Sequence, residues 1–268
     1  MSEGGKITRR RFGKGLLAIL GLVAVEGAAQ QAPIINTSFS FIRGAYSVLS
    51  DLFPSPMPEP DPNLVRHWES QLKDFQAYDE SHVPPTVEDE IIGSSTVNRF
   101  AIYAARHSNQ TGFQNPTIIR GFEGAYTIRD IYPRLEAIFG NHYPNRIVVY
   151  LGNSLEHTTL RQAMFDFLSF DNRVKALRPH SQRLYIEMIP SPRRWAEHED
   201  QKSLNKFMAD NSGRGYRVIP MYNSFVSVDS GQESPKSSLF EDGLHPSEEA
   251  YKTIFTPTVV KYLPPVTS

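Results

Sequence analysis

The sequence predicts an α/β domain: a three-layer α/β/α sandwich built on a five-stranded parallel sheet. Five short apolar runs, at 90–93, 117–120, 146–151, 183–189 and 216–221, have the length of buried strands. Stretches of helical periodicity lie between them, at 96–107, 126–139, 160–177 and 202–211, and a last one covers 246–262. Strands that alternate with helices pair in parallel, are covered on both faces and are joined by right-handed crossovers. In such sheets function gathers beyond the carboxyl ends of the strands.

A chain of 268 residues, 40% of them apolar, has room for one large domain with a substantial core, plus a tail. Residues 1–29 carry five basic side chains and two acidic ones; the remainder has 23 basic against 27 acidic, a net of −4. Such a body has no electrostatic footprint for nucleic acid. Cysteine is absent, which excludes disulfides, thiolate metal sites and cysteine nucleophiles. It leaves the redox compartment undecided.

Residues 1–29 read as an export signal. A basic start containing Arg9, Arg10 and Arg11 has a twin-arginine pattern, an apolar run follows at 15–25, and Gly27, Ala28 and Ala29 offer small residues for cleavage. The run falls well short of the ~20 residues that a spanning helix needs. A periplasmic or secreted protein is therefore expected; the alternative is a membrane tether formed by an uncleaved N-terminus. Residues 30–63 read as a linker, with an apolar part at 34–53 that could lie on the domain or near a membrane. Five prolines between Pro54 and Pro62 then make a stiff spacer. The folded domain is expected over 64–268. It opens with an amphipathic helix at 64–78, marked by Leu64, Trp68, Leu72 and Phe75.

Two stretches carry chemistry. In Ile91-Ile92-Gly93-Ser94-Ser95, a buried strand ends in a glycine and two serines and turns into a helix. A serine at that turn has its hydroxyl exposed and backbone N–H groups beside it. The second stretch is Asp242-Gly243-Leu244-His245-Pro246-Ser247, with proline placed to start a helix. An Asp and a His three apart across a tight turn can meet, leaving the second ring nitrogen free to act as a base for a serine. Each stretch alone also reads as an ordinary loop. No GxGxxG or Walker pattern occurs, so no nucleotide cofactor is expected. His107, His142, His157 and His198 lack paired ligands at metal spacing, and no metal is expected.

The two stretches together resemble the SGNH (GDSL-like) hydrolases, in a subgroup whose first motif is Gly-Ser-Ser. Arg120-Gly121-Phe122-Glu123-Gly124 is similar to the second motif of that family, residues 148–152 to the approach to its third, residues 189–195 to a stretch after its fourth strand, and 240–251 to its last motif. The resemblance spans roughly residues 70 to 262 and implies a flavodoxin-like sheet. It implies Ser95 as nucleophile, His245 as base and Asp242 as the group that orients the imidazole. Ser94 would support the loop. The oxyanion would lie among the N–H of Ser95, the N–H of Gly124 and a third donor. For that donor Gly152-Asn153-Ser154-Leu155 offers Ser154 at the family's asparagine position or Asn153 one place earlier. Losing one such donor typically costs ~3 kcal/mol of transition-state stabilisation. Arg193, Arg194 and Trp195 could line the cleft or stack on the surface, and Phe122 and Tyr126 could shape an acyl pocket or simply pack.

The expected function is an exported serine esterase without a cofactor. Its substrate would be an acyl ester, acetyl among the candidates, of a carbohydrate or a lipid, that is, a small molecule or a glycan. Two other readings keep the scaffold: an O-acyltransferase that uses the same serine, and a glycan-binding protein with little or no activity.

Overall fold

The computed structural model describes residues 61–82, 87–125, 127–152, 155 and 158–265. The chain divides into two units, Met1–Pro56 and Met57–Ser268, and every described residue belongs to the second. The export signal, nearly all of the linker, Pro84-Pro85, Tyr126, Asn153, Ser154 and His157 lie outside the described residues.

Helix α1 (Pro62–His82) opens the domain. It starts with proline at its first position, where the missing N–H costs nothing. Strand β1 (Asp89–Gly93) leads into α2 (Ser95–Arg106), then β2 (Thr117–Gly121). Short helices α3 (Ile128–Ile131) and α4 (Leu135–Phe139) precede β3 (Arg146–Tyr150). Next come α5 (Leu160–Leu177), β4 (Gln182–Ile186), α6 (His198–Asp210) and β5 (Tyr216–Ile219). The five strands form one parallel sheet in the order β2-β1-β3-β4-β5. The order reverses at β1, so a crevice opens beyond the carboxyl ends of β1 and β3, where open α/β sheets bind ligands.

Side-chain alternation divides the core. Ile92, Val149 and Tyr185 point to one face, with Trp68 of α1, Phe167 and Phe170 of α5 and Met208 of α6. Ile91, Val148 and Leu184 point to the other, with Val97 and Phe100 of α2 and the C-terminal helices. The predicted parallel sheet, covered on both faces, is the observed one.

Three expectations need correction. The helix expected at 126–139 is broken into α3, a 3-10 turn at Tyr132–Arg134, and α4. Pro133 has no N–H to donate to the carbonyl four residues back, and its ring crowds that carbonyl. The last helix does not start at 246. It starts after Ser247, whose hydroxyl accepts from the Ala250 N–H, as α7 (Glu248–Ala250). A π turn at Tyr251–Phe255 and α8 (Thr256–Lys261) follow, and Pro257 again accounts for the break. Helix α6 begins four residues before the expected 202. An antiparallel hairpin of β6 (Val226–Asp229) and β7 (Gln232–Pro235) was not expected. Its turn, Ser230-Gly231, has positive φ at both residues, the geometry that suits the twist of a two-residue hairpin.

One buried charge marks the sheet. Glu90 of β1 is fully buried, with Arg120 of β2 at 3.6 Å; Arg120 also pairs with Asp79 of α1. Burial pushes the Glu90 carboxyl up to about 8, against the pull of Arg120 and Arg178. A folded-state value above the unfolded one means that stability is present at low pH and declines as pH rises through that range. Glu90→Gln is expected to match the wild type in stability near pH 5 and to exceed it near pH 9, by an amount on the order of a few kcal/mol. Thermal melts across that range check it; a gap independent of pH would contradict the assignment.

Candidate active site

Strand β1 ends at Gly93, where the chain passes against β3. A Cβ on Gly93 would lie 2.3 Å from the Tyr150 carbonyl oxygen, so only glycine fits. The chain then turns into α2. Ser94 is buried, its Oγ has no hydrogen-bond partner, and its N–H donates to the Tyr150 carbonyl at 3.2 Å. Ser95, the first residue of α2, stands at the rim of the sheet. Its Oγ lies 2.9 Å from Nε2 of His245, a residue 150 positions later in the chain.

The turn before α7 supplies the other half. His245 Nδ1 lies 2.8 Å from Oδ2 of Asp242. Oδ1 of Asp242 accepts from the N–H groups of Leu244 and His245, at 2.9 and 2.8 Å. Burial acts to raise the Asp242 pKa, but the hydrogen bonds from the His245 N–H, the His245 ring and the Leu244 N–H outweigh it. They hold the carboxyl well below the usual carboxylate range. An ionised Asp242 fixes the proton on Nδ1, so Nε2 is left to accept from the serine hydroxyl.

Arg99 was not anticipated. It sits one turn after Ser95 on α2 and donates to Oδ2 of Asp242 at 3.2 Å and to Glu241 at 3.0 Å. Its spacing from Ser95, four residues on a helix, places both on one face and was a usable signal. Helix α1, expected as an amphipathic helix, also grips the second-motif loop: Trp68 Nε1 donates to the Glu123 carbonyl at 2.7 Å, and Gln71 accepts from the Glu123 N–H at 3.3 Å. Leu64 lies against Gly124, which has a positive φ of 70° and would drive a Cβ to 2.7 Å from the Leu64 side chain. The Ser95 N–H, expected to face an oxyanion, donates here to the Ala125 carbonyl at 3.4 Å, a long bond that a substrate oxygen can replace. Trp68→Phe removes a donor of about 1 kcal/mol. It is expected to lower kcat several-fold with little change in KM, and steady-state kinetics on any ester turned over checks it.

The third motif is described only in part, because both candidate donors, Asn153 and Ser154, fall outside the described residues. Leu155 is described; its N–H donates to Glu197 at 2.6 Å. Of the residues expected near the cleft, Phe122 is buried in the core against Phe75, a packing role. Trp195 stacks on His198, with ring centroids 4.1 Å apart and planes within 6°. The His198, Glu199 and Glu233 side chains converge, with donor atoms within 4.8 Å of one another, a proximity across α6 and β7 that local spacing did not reveal. Lys202 already bridges both glutamates there, so the cluster carries its own counter-charge. His107 pairs with Glu248, and His142 lies beside Asp79.

Neither a protein-family model nor a curated protein matches the sequence. Solved structures do share its fold. One, from Streptococcus pneumonia and described as a candidate platelet activating factor, aligns with a TM-score of 0.62 at 15% identity, over 83% of this chain and 99% of that one. Another, a candidate acylhydrolase from Bacteroides fragilis, aligns at 0.56 and 18% identity, over 70% and 97%. A candidate lipolytic protein of the G-D-S-L family from Desulfitobacterium hafniense aligns at 0.50 and 15% identity, over 66% and 99%. The chain has the α/β fold of the GDSL (SGNH) hydrolases.

Proposed function

We propose that this protein is a serine esterase whose triad is Ser95, His245 and Asp242. The observation that carries the reading is the chain of hydrogen bonds from Ser95 Oγ through His245 to Asp242, 2.9 and 2.8 Å long, joining two distant pieces of sequence at the rim of the sheet. Ser95 Oγ attacks the acyl carbon while His245 Nε2 takes its proton. The acyl–oxygen bond breaks, the alcohol leaves with that proton, and an acyl group remains on Ser95. Water, deprotonated by His245, then releases the acid. The developing oxyanion is received by the N–H groups of Ser95 and Gly124 and by Asn153 or Ser154. No step calls for a cofactor.

The basic and apolar start of the chain supports export, to the periplasm or outside the cell, or a tether at the membrane. Among the described residues no helix is long and apolar enough to cross a membrane. Esters of carbohydrates or lipids at the cell surface are then the accessible substrates. An O-acyltransferase would use the same acyl-serine and differ only in the acceptor. Purified protein incubated with a p-nitrophenyl ester should release p-nitrophenol and free acid in equal amounts, even with a glycan acceptor present. Acylated glycan as the main product would transfer the assignment to the acyltransferase; no turnover of any ester would remove both.

A further inference from the structure

The turn that carries Asp242 and His245 is braced within itself. The Glu241 N–H donates to the His245 carbonyl at 3.0 Å, and the Ser247 N–H to the Leu239 carbonyl at 2.8 Å. With the two N–H groups held by Asp242 Oδ1, these bonds fix the shape of residues 239–247. The reaction also needs that unit at a fixed distance from Ser95, because a misplacement of about 1 Å can cost on the order of a hundredfold in rate. The Ser95–His245 hydrogen bond cannot serve as the anchor, since it is broken when the serine oxygen is acylated. Two ties run through the backbone: the Arg193 N–H donates to the Gly243 carbonyl at 2.9 Å, and the Tyr251 hydroxyl donates to the Thr96 carbonyl at 2.8 Å.

Arg99 makes a further tie, and it reaches the triad itself. Its two terminal nitrogens part: one donates to Glu241 at 3.0 Å, the other to Oδ2 of Asp242 at 3.2 Å. Oδ2 is also the oxygen that holds His245 Nδ1, at 2.8 Å. Ser95 begins α2 and Arg99 lies one turn further along it, so the nucleophile and the clamp share one rigid helix. We infer that Arg99 is a positioning residue: from the nucleophile's own helix it fixes where the Asp242–His245 pair stands relative to Ser95. The inference rests on the esterase reading above and adds a residue to its machinery. A guanidinium suits the task, since its planar fork can span two carboxylates and stays charged. The bridge is partly in water: the Arg99 and Asp242 side chains are 37% and 33% exposed, and that of Glu241 67%. Exposed ion pairs contribute little to stability. A role in folding and a role in alignment therefore predict different readouts.

The test is steady-state kinetics on a short p-nitrophenyl ester, with thermal melts of the same samples. Arg99→Met keeps the apolar stem and removes the fork. It should lower kcat about tenfold, leave KM within about twofold and shift Tm by no more than about two degrees. Arg99→Lys, a point charge that cannot span both carboxylates, should recover only part of the loss. Glu241→Ala frees one arm of the fork without touching the backbone bond to His245. It should cost about threefold in kcat alone and nothing further in Arg99→Met, as expected when two residues act through one contact. It also serves if Arg99→Met does not fold. Wild-type kcat in Arg99→Met, a loss confined to Tm, or a Glu241→Ala loss that persists in full beside Arg99→Met would overturn the alignment role and leave the esterase. Full recovery in Arg99→Lys would overturn the two-armed bridge. No turnover of any ester by the wild type would remove the esterase and this role with it.

Discussion

Ser95→Ala is expected to lower kcat/KM on a short ester by roughly four to six orders of magnitude, the range seen when a triad serine is removed. Folding should be spared, because Ser95 is half-buried at the rim and its hydroxyl's one described hydrogen bond is with His245. The neighbouring serine gives the control. Ser94 is buried with an unpartnered Oγ, so Ser94→Ala removes no hydrogen bond and should keep most of the activity. Substantial turnover in Ser95→Ala, or a dead Ser94→Ala, would show that the wrong hydroxyl has been assigned.

Asp242→Asn should cost about 10⁴-fold in kcat while leaving the fold in place. The amide oxygen can still accept the N–H groups of Leu244 and His245, so the turn survives. What changes is the bond to the imidazole: an amide N–H facing Nδ1 forces the proton onto Nε2, and the ring can no longer take the serine proton. Stability should move with pH as well. The Asp242 pKa is depressed in the folded state, so its contribution is present above the ordinary aspartate value and is lost as pH falls from there through the depressed folded-state value. The variant should therefore melt lower than wild type at neutral pH, with the gap closing in acid. Near-normal kcat in Asp242→Asn would contradict the role given to the carboxylate.

Much of the fold was legible because it depends on local pattern. The strand runs beginning near Asp89, Thr117, Arg146, Gln182 and Tyr216 are short, each built around a few apolar residues, and α5 coincides with its expected bounds. Where the helices differ, the reason was in the sequence but underweighted: Pro133 and Pro257 interrupt otherwise good periodicities. The hairpin of β6 and β7 carried a signal in Ser230-Gly231 that went unread beside its weak alternation. The site was legible as two motifs, and the resemblance joined them. Arg99, Trp68 and Glu197 were not, because each acts through partners more than 40 residues away. Trp68 meets Glu123, Arg99 meets Asp242, and Glu197 meets Leu155. Periodicity shows that a residue is buried or on a face; it does not show which loop waits for it there.

A site built to hold Asp242 ionised, with a fixed tautomer of His245 against Ser95, makes sense for an activated hydroxyl and adds nothing to a scaffold that only binds. That claim has a direct readout. Purified protein is treated with a fluorophosphonate and the adduct is located by peptide mass mapping, alongside His245→Ala. The expected result is one adduct on Ser95, formed in the wild type and nearly absent in His245→Ala. An adduct on a different residue, or labelling that proceeds at the wild-type rate without the imidazole, would contradict the account.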